Sequence, residues 1–347
     1  MAKKSSKDEK KKLDYVAERK KLREEGPRPL YLMYGPEDYL REQFLIELKK
    51  LCLPEGEDGF SFKRMDGPAL DANELAQAID SVPFMSERSF VELRNVDINK
   101  LPEPETFVKI ISDIPDYCTV VFVQSSGYEP DKRLKFIKAL VDKGYAMNFV
   151  QQSQNQLFSW VSRRFEAAGK AVDFEAVQRL IFVSGDLMNH LIPEIEKVAA
   201  YAKGERVTMA DVDAVAHHVA DADVFAITDY ISKKDYNSAV AVLSELLGDK
   251  SNEPIMILAI LGNQMRRLYA ARLALDKGID SAALAAGLGL KYEFLARNLM
   301  NSARGYSLSQ LKAAVELCAD MDYQMKSSSA DDRELLKEAI IRIAAGG

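Results

Sequence analysis

The sequence predicts a parallel α/β domain followed by two all-helical domains, and three observations carry that prediction. From Pro29 to about Val150 the apolar residues switch repeatedly between a two-residue and a helical period, as βα units feeding a parallel sheet do. One of these runs, Cys118-Thr-Val-Val-Phe-Val, is apolar nearly throughout, which suits a central strand covered by helices on both faces. After Val150 the strand signal stops, and every later segment reads as helix.

Taken in order, residues 1–28 carry eleven Lys or Arg and six Asp or Glu, with no apolar stretch of the kind a secretory signal needs. They are expected to form a charged, solvated and flexible tail, helical in part between Leu13 and Leu22. Strands are predicted at 30–34, 60–65, 89–96, 118–124 and 145–150. Between them lie amphipathic stretches in which Leu40, Phe44, Leu48 and Leu51, then Phe107, Ile110, Ile111 and Ile114, then Leu134, Ile137 and Val141, fall on single helical faces. A short helix over 72–80 opens with the capping-box pattern Asp71-x-x-Glu74. Five strands with four crossovers make residues 29–149 a RecA-like or doubly wound domain.

Residues 150–220 read as a small helical domain. Leu157, Trp160, Val161 and Phe165 form one stripe; Leu187, Leu191, Ile195 and Val198 form another, which Pro193 should kink or split. Thr208 caps a further short helix from Met209 to His217. Residues 221–347 carry more helices, punctuated by Gly248, Gly278, Gly289 and Gly305 and ending in one over 331–345. Ile255, Met256, Ile257, Leu258, Ile260 and Leu261 make a helix that is apolar nearly all round, so it is buried within its domain or against a neighbouring subunit.

Composition bounds the function. A chain of 347 residues, 47% hydrophobic and 29% charged, is globular rather than disordered or fibrous. Its net charge is −6; with +5 on residues 1–28 the rest carries −11, so any contact with DNA is local or shared with partners. No run approaches eighteen apolar residues, so no membrane span is expected. Cys52, Cys118 and Cys318 lack both metal-ligand spacing and an even disulfide set, which fits a reducing cytoplasm.

The first strand runs into Tyr34-Gly35-Pro36-Glu37-Asp38-Tyr39, where a phosphate-binding loop would sit in an ATPase. A working loop needs Gly-Lys-Ser/Thr after four residues intervening from Gly35: glycine for close approach, lysine for the terminal phosphates, a hydroxyl for Mg²⁺. Leu40, Arg41 and Glu42 stand there instead, and Glu37 and Asp38 put negative charge where a triphosphate would lie. The third strand should end in metal-holding carboxylates, yet Arg94 and Asn95 follow its apolar run, and a cation cannot hold Mg²⁺. Neither a nucleotide nor a metal cofactor is expected.

Between the second helix and the third strand, Val82-Pro83-Phe84-Met85 is an apolar patch stiffened by Pro83. It either tucks Phe84 into the domain's own core or presents a wedge to a partner's pocket. Lys132, Arg133 and Lys135 form a basic stretch after the fourth strand, a solvated helix face or a phosphate contact. His190, His217 and His218 lack metal-site spacing, no nucleophilic triad can be built, and Trp160 reads as core.

Tyr31-Leu-Met-Tyr-Gly-Pro-Glu-Asp-Tyr-Leu40, Val82-Pro-Phe-Met-Ser-Glu-Arg88, Asp131-Lys-Arg133, Glu194-Ile-Glu-Lys197 and the late Asp322 with Lys326 together resemble the delta-subunit family of bacterial DNA polymerase III, over about residues 29–345. That resemblance implies an AAA+-like first domain without a working nucleotide site, a small helical lid, and a helical collar that joins other loader subunits. It implies a clamp-loader subunit that binds and opens the sliding clamp (the beta subunit) for loading onto primed DNA. Its partners would be the gamma or tau and delta prime subunits, and its share in nucleotidyl transfer would come only through the holoenzyme. Val82, Pro83, Phe84 and Met85 match the positions that enter the clamp's pocket. The competing reading is an AAA+ ATPase with a divergent nucleotide site.

Overall fold

Alternate residues of Leu30–Tyr34 (β1) point to opposite sides of a sheet, and the chain supplies apolar helix faces for both. The computed structural model describes residues 13–53, 61–83, 86–249 and 252–346. The chain divides into two units, residues 1–151 with 187–189, and residues 152–186 with 190–347.

In the first unit β1 is joined by Phe62–Asp66 (β2), Ser89–Arg94 (β3), Cys118–Val123 (β4) and Tyr145–Asn148 (β5). All pair in parallel, in the order β2-β3-β4-β1-β5. β4, the run apolar nearly throughout, is buried at every position, with β1 and β3 at its sides. Leu30, Leu32, Val91, Leu93, Val120 and Phe122 form one core with residues of Ala72–Asp80 (α3), Pro104–Ile110 (α4) and Lys135–Lys143 (α5). On the other face the Tyr31 ring lies 6.4 Å from Phe44 of Asp38–Cys52 (α2), and Phe44 lies 6.1 Å from Phe149. The stripe of α2 ends on Cys52 rather than Leu51, which is exposed; Leu45 joins Leu40, Phe44 and Leu48 on the buried side. Asp71 caps α3 by accepting the Glu74 amide at 2.9 Å.

The stretch expected to be a solvated tail contains a docked helix, Tyr15–Glu25 (α1). Leu22 is buried, the Tyr15 ring meets Phe149 edge-on, and Arg19 and Arg23 both reach the carboxylate of Glu47 on α2. Burial against α2 decides the outcome, which the local charge density of the segment concealed.

The second unit begins with Gln154–Ala167 (α6), Phe174–Ser184 (α7) and, from residue 190 on, the rest of Met188–Tyr201 (α8), followed by Met209–Val215 (α9). It holds two short strands that the helical reading omitted, Ala171–Val172 (β6) and Arg206–Val207 (β7), paired in parallel. Two residues are too few to show a period of two. Nor does Pro193 split its helix: α8 is one helix with the proline in its second turn, where it forfeits a single intrahelical bond. Thr208 caps α9 in a reciprocal capping box with Asp211.

The remaining helices are Ala220–Ser232 (α10), Tyr236–Gly248 (α11), Pro254–Asp276 (α12), Ser281–Leu288 (α13), Glu293–Ala303 (α14), Leu308–Ser327 (α15) and Asp332–Ala345 (α16). The all-round apolar helix is α12, packed against α10, α13, α14, α15 and α16 of its own unit. Ile257, Leu258, Leu261, Met265 and Leu268 are each at most 1% exposed. Its apolar character therefore comes largely from its central place in the bundle. Phe158 of α6 touches Phe174, Tyr292 and Phe294, and Asp186 takes hydrogen bonds from Lys291 and the Tyr292 hydroxyl.

Candidate functional site

In an open parallel sheet the binding crevice lies beyond the carboxyl ends of the strands where the strand order reverses. Here β1, between β4 and β5, ends at that position, and Gly35 follows it. Gly35 has φ +112°, and a Cβ there would lie 2.5 Å from Asn148 Oδ1 and 2.6 Å from the Phe149 carbonyl oxygen. The loop thus packs directly on the end of β5, with the Glu37 amide donating to the Phe149 carbonyl at 2.9 Å.

Each residue at a nucleotide-site position is occupied by contacts within the first unit. Leu40 belongs to the buried stripe of α2. Arg41, in the lysine position, is 5% exposed; its Nη1 donates to the Gly35 carbonyl at 2.8 Å and its Nη2 pairs with Asp38. It turns back onto the loop instead of outward to a phosphate. Glu42, in the hydroxyl position, receives both Nη atoms of Arg94 at 2.8 Å. That guanidinium also donates through Nε to Glu92, whose second oxygen lies 2.8 Å from Lys49 Nζ. Burial works to raise the Glu92 carboxyl, but hydrogen bonds from Lys49 and Arg94 outweigh it and leave it below the ordinary carboxylate range. The hydrogen bonds that Arg94 donates to Glu42 in turn hold its guanidinium above its ordinary value.

Glu37 is fully buried, and its Oε1 accepts the amide of Met188, the first residue of α8, at 3.1 Å. A carboxylate thereby sits at a helix start, the kind of place that attracts phosphate in other proteins. The sequence marks Glu37 and Arg94 as residues hostile to a nucleotide and a metal; it does not show that one caps α8 or that the other bridges to α2. The signals were the charges themselves, at positions 37, 42, 92 and 94. This geometry does not favour the divergent-ATPase reading. Among the described residues no group of three or more His, Cys, Asp or Glu could hold a metal ion.

The second predicted site begins where α3 stops at Asp80. Val82 is 71% exposed and Pro83 half-buried; Phe84 and Met85 lie outside the described residues. The basic stretch is mostly paired: Arg133 makes two side-chain bonds to Asp131, and Lys135 lies 2.6 Å from Glu105, while Lys132 is exposed. Hydrogen bonds from Arg133 hold the Asp131 carboxyl down at about 2. Trp160 is half-buried with the Arg164 guanidinium over its ring, and the three cysteines are buried and free. No helix is long and apolar enough to cross a membrane among the described residues.

Comparison with known proteins agrees with this organisation. The model of the DNA polymerase III delta subunit matches residues 31–150, and a separate model of the C-terminal domain of that protein matches residues 221–343. The chain is 24% identical over 335 residues to DNA polymerase III subunit delta of Bacillus subtilis (strain 168), covering 93% of this chain and 95% of the relative. It is 22% identical over 319 residues to the probable DNA polymerase III subunit delta of Aquifex aeolicus (strain VF5), covering 89% of each. Among solved structures, the Bacillus subtilis DNA clamp loader delta protein (YqeN) superposes with a TM-score of 0.53 at 21% identity, over 95% of this chain and 99% of that one. Sheet order, the altered phosphate loop and two family matches that together span most of the sequence converge: the chain belongs to the DNA polymerase III delta-subunit family.

Proposed function

We propose that this chain is the clamp-loader subunit that binds the sliding clamp and favours its opening, using Val82, Pro83, Phe84 and Met85 as the contact. The observation that carries the reading is the exposure of Val82, 71%, just past the end of α3 and beside a proline that restricts the turn. An apolar side chain held out in this way is what a partner's pocket takes up, and family membership supplies the clamp as that partner. A clamp whose interface is open or strained would be bound more tightly than a closed one, so binding shifts its population toward opening. ATP acts through other loader subunits, since the loop after β1 is filled by the chain's own side chains.

On this reading residues 150–220 are a lid and residues 221–347 a collar that joins the gamma or tau and delta prime subunits. Lys132, Arg133 and Lys135 contact DNA only within the assembled loader, where other subunits offset the −11 of the body. The chain works in the cytoplasm, beside primed DNA.

Phe84 is the residue to test. Burying such a ring in a partner's pocket contributes about 1.5–3 kcal/mol, so Phe84→Ala should weaken clamp binding roughly ten- to a hundredfold in surface plasmon resonance. Val82→Ala removes fewer methyl groups and should do less. Unchanged affinity with a lowered melting temperature would place Phe84 in the chain's own core and remove the assignment.

A further inference from the structure

The charged residues around the altered phosphate loop form a connected structure with its own geometry. Glu42 and Lys49 are seven residues apart on α2 and so share a helix face; Glu92 and Arg94 are two apart on β3 and share a strand face. The four alternate in sign and interlock as Lys49–Glu92–Arg94–Glu42. Glu92 is fully buried and the Arg94 side chain only 21% exposed, so the chain of contacts is largely shielded from water. In an active phosphate-loop domain the hydroxyl position and the end of the third strand are linked through a metal ion bound with the nucleotide. Here the bidentate Glu42–Arg94 bond joins the same two positions. At the other side of the loop the Glu37 carboxylate caps the start of α8, the role an anion plays at a helix N-terminus.

We propose that these side chains are an internal substitute for a metal-bound nucleotide. Glu42–Arg94 replaces the metal link between α2 and β3, and Glu37 replaces the anion at residues 187–189, so the first unit is held permanently in one local arrangement that nucleotide cannot alter. The device turns a domain type that elsewhere responds to ATP into a fixed part. Such a part presents its other surfaces in the same way throughout the cycles of subunits that do respond. This inference concerns the loop and is independent of the clamp contact at residues 82–85.

Hydrogen exchange of the full-length chain, read by mass spectrometry over residues 35–42 and 92–97, tests it. In the unaltered chain both segments should be protected, and millimolar Mg²⁺ with ATP should leave their exchange unchanged. Glu42→Gln keeps the size of the side chain and removes the charge partner of Arg94; it should speed exchange in both segments by about tenfold. Arg94→Gln also deprives Glu92 of a partner and should do more, but the double variant should be no faster than Arg94→Gln alone, because Arg94→Gln has already removed the bond to Glu42. If Arg94→Gln proves too unstable to purify, Arg94→Lys, which keeps a charge but loses the fork, should give an intermediate rate. Additive effects of the two substitutions, exchange unchanged by Glu42→Gln, or slowing of the unaltered chain by Mg²⁺ and ATP would each overturn the proposal.

Discussion

Gly35 shows how much can rest on a missing side chain. Its positive φ disfavours any L residue, and its closest neighbours include backbone atoms at the end of β5, which cannot move aside as the end of a flexible side chain can. Gly35→Ala should therefore cost about 3 kcal/mol, from backbone strain together with overpacking. A thermal melt of the variant checks this, and a shift of less than a degree would mean that the loop relaxes freely. The glycine stands out in the sequence as the first residue of a phosphate-loop pattern, yet its part in this molecule is to let the loop settle on Asn148 and Phe149. Arg41 was legible only as a replacement for lysine. That its guanidinium returns to the Gly35 carbonyl depends on a loop shape that no spacing reveals. Charge identity can be read from a sequence, but the partner of a charge cannot when fifty residues separate them, as they do for Glu42 and Arg94.

At the scale of elements, α1 tests what burial contributes to a segment that composition marks as solvent-exposed. One apolar side chain, Leu22, is buried, and the Glu47 carboxylate gathers Arg19 and Arg23. Glu47 is largely covered but Arg19 and Arg23 are 40% and 61% exposed, so water screens the ion pairs and the apolar contact should dominate. Leu22→Ala removes burial of roughly 2–3 kcal/mol, enough to release a short helix without unfolding the sheet it rests on. Trypsin should then cleave at Lys20, Lys21 and Arg23 at least several-fold faster, while the melting of the rest of the chain stays the same. An unchanged cleavage rate would show that the ion pairs hold α1 by themselves. β1 and β4 were legible as apolar runs, whereas β2, Phe62-Lys-Arg-Met-Asp, is not one; all five strands of the large sheet formed within a few residues of their expected limits. β6 and β7 were not legible, because two residues carry no periodicity. The docking of α1 was not, because its evenly scattered charges hide a single buried leucine whose partner surface is built by α2. α12 reads correctly as a buried helix, but only its surroundings distinguish burial among sister helices from burial against another protein.

At the scale of the whole molecule, the reading separates two tasks along the chain, clamp contact in the first unit and assembly in the last helices of the second. On the second unit an apolar groove of about 800 Å³ runs between α11 and α16, lined by Tyr236, Val240, Leu243, Ile340 and Ile341. Val240 is 58% exposed and Ile341 64%, so both are open to a partner while α12 satisfies the interior of the bundle. A collar interface needs such a surface, because association is driven by apolar area removed from water. Ile341→Asp places a charge in that groove, whose lining cations Lys337 and Arg333 already bond to Glu334 and to the Leu247 carbonyl, and burying it in an interface costs several kcal/mol. The variant should lose its place in a reconstituted loader, seen as a separate peak in size-exclusion chromatography, while its affinity for the clamp stays within about twofold of normal. Phe84→Ala should show the reverse pattern, joining the loader and failing on the clamp. Each variant also serves as the control for the other, since an unfolded chain fails at both tasks. Should Ile341→Asp assemble normally, the groove is not the collar surface; should it lose clamp affinity along with assembly, the two tasks are not divided as proposed.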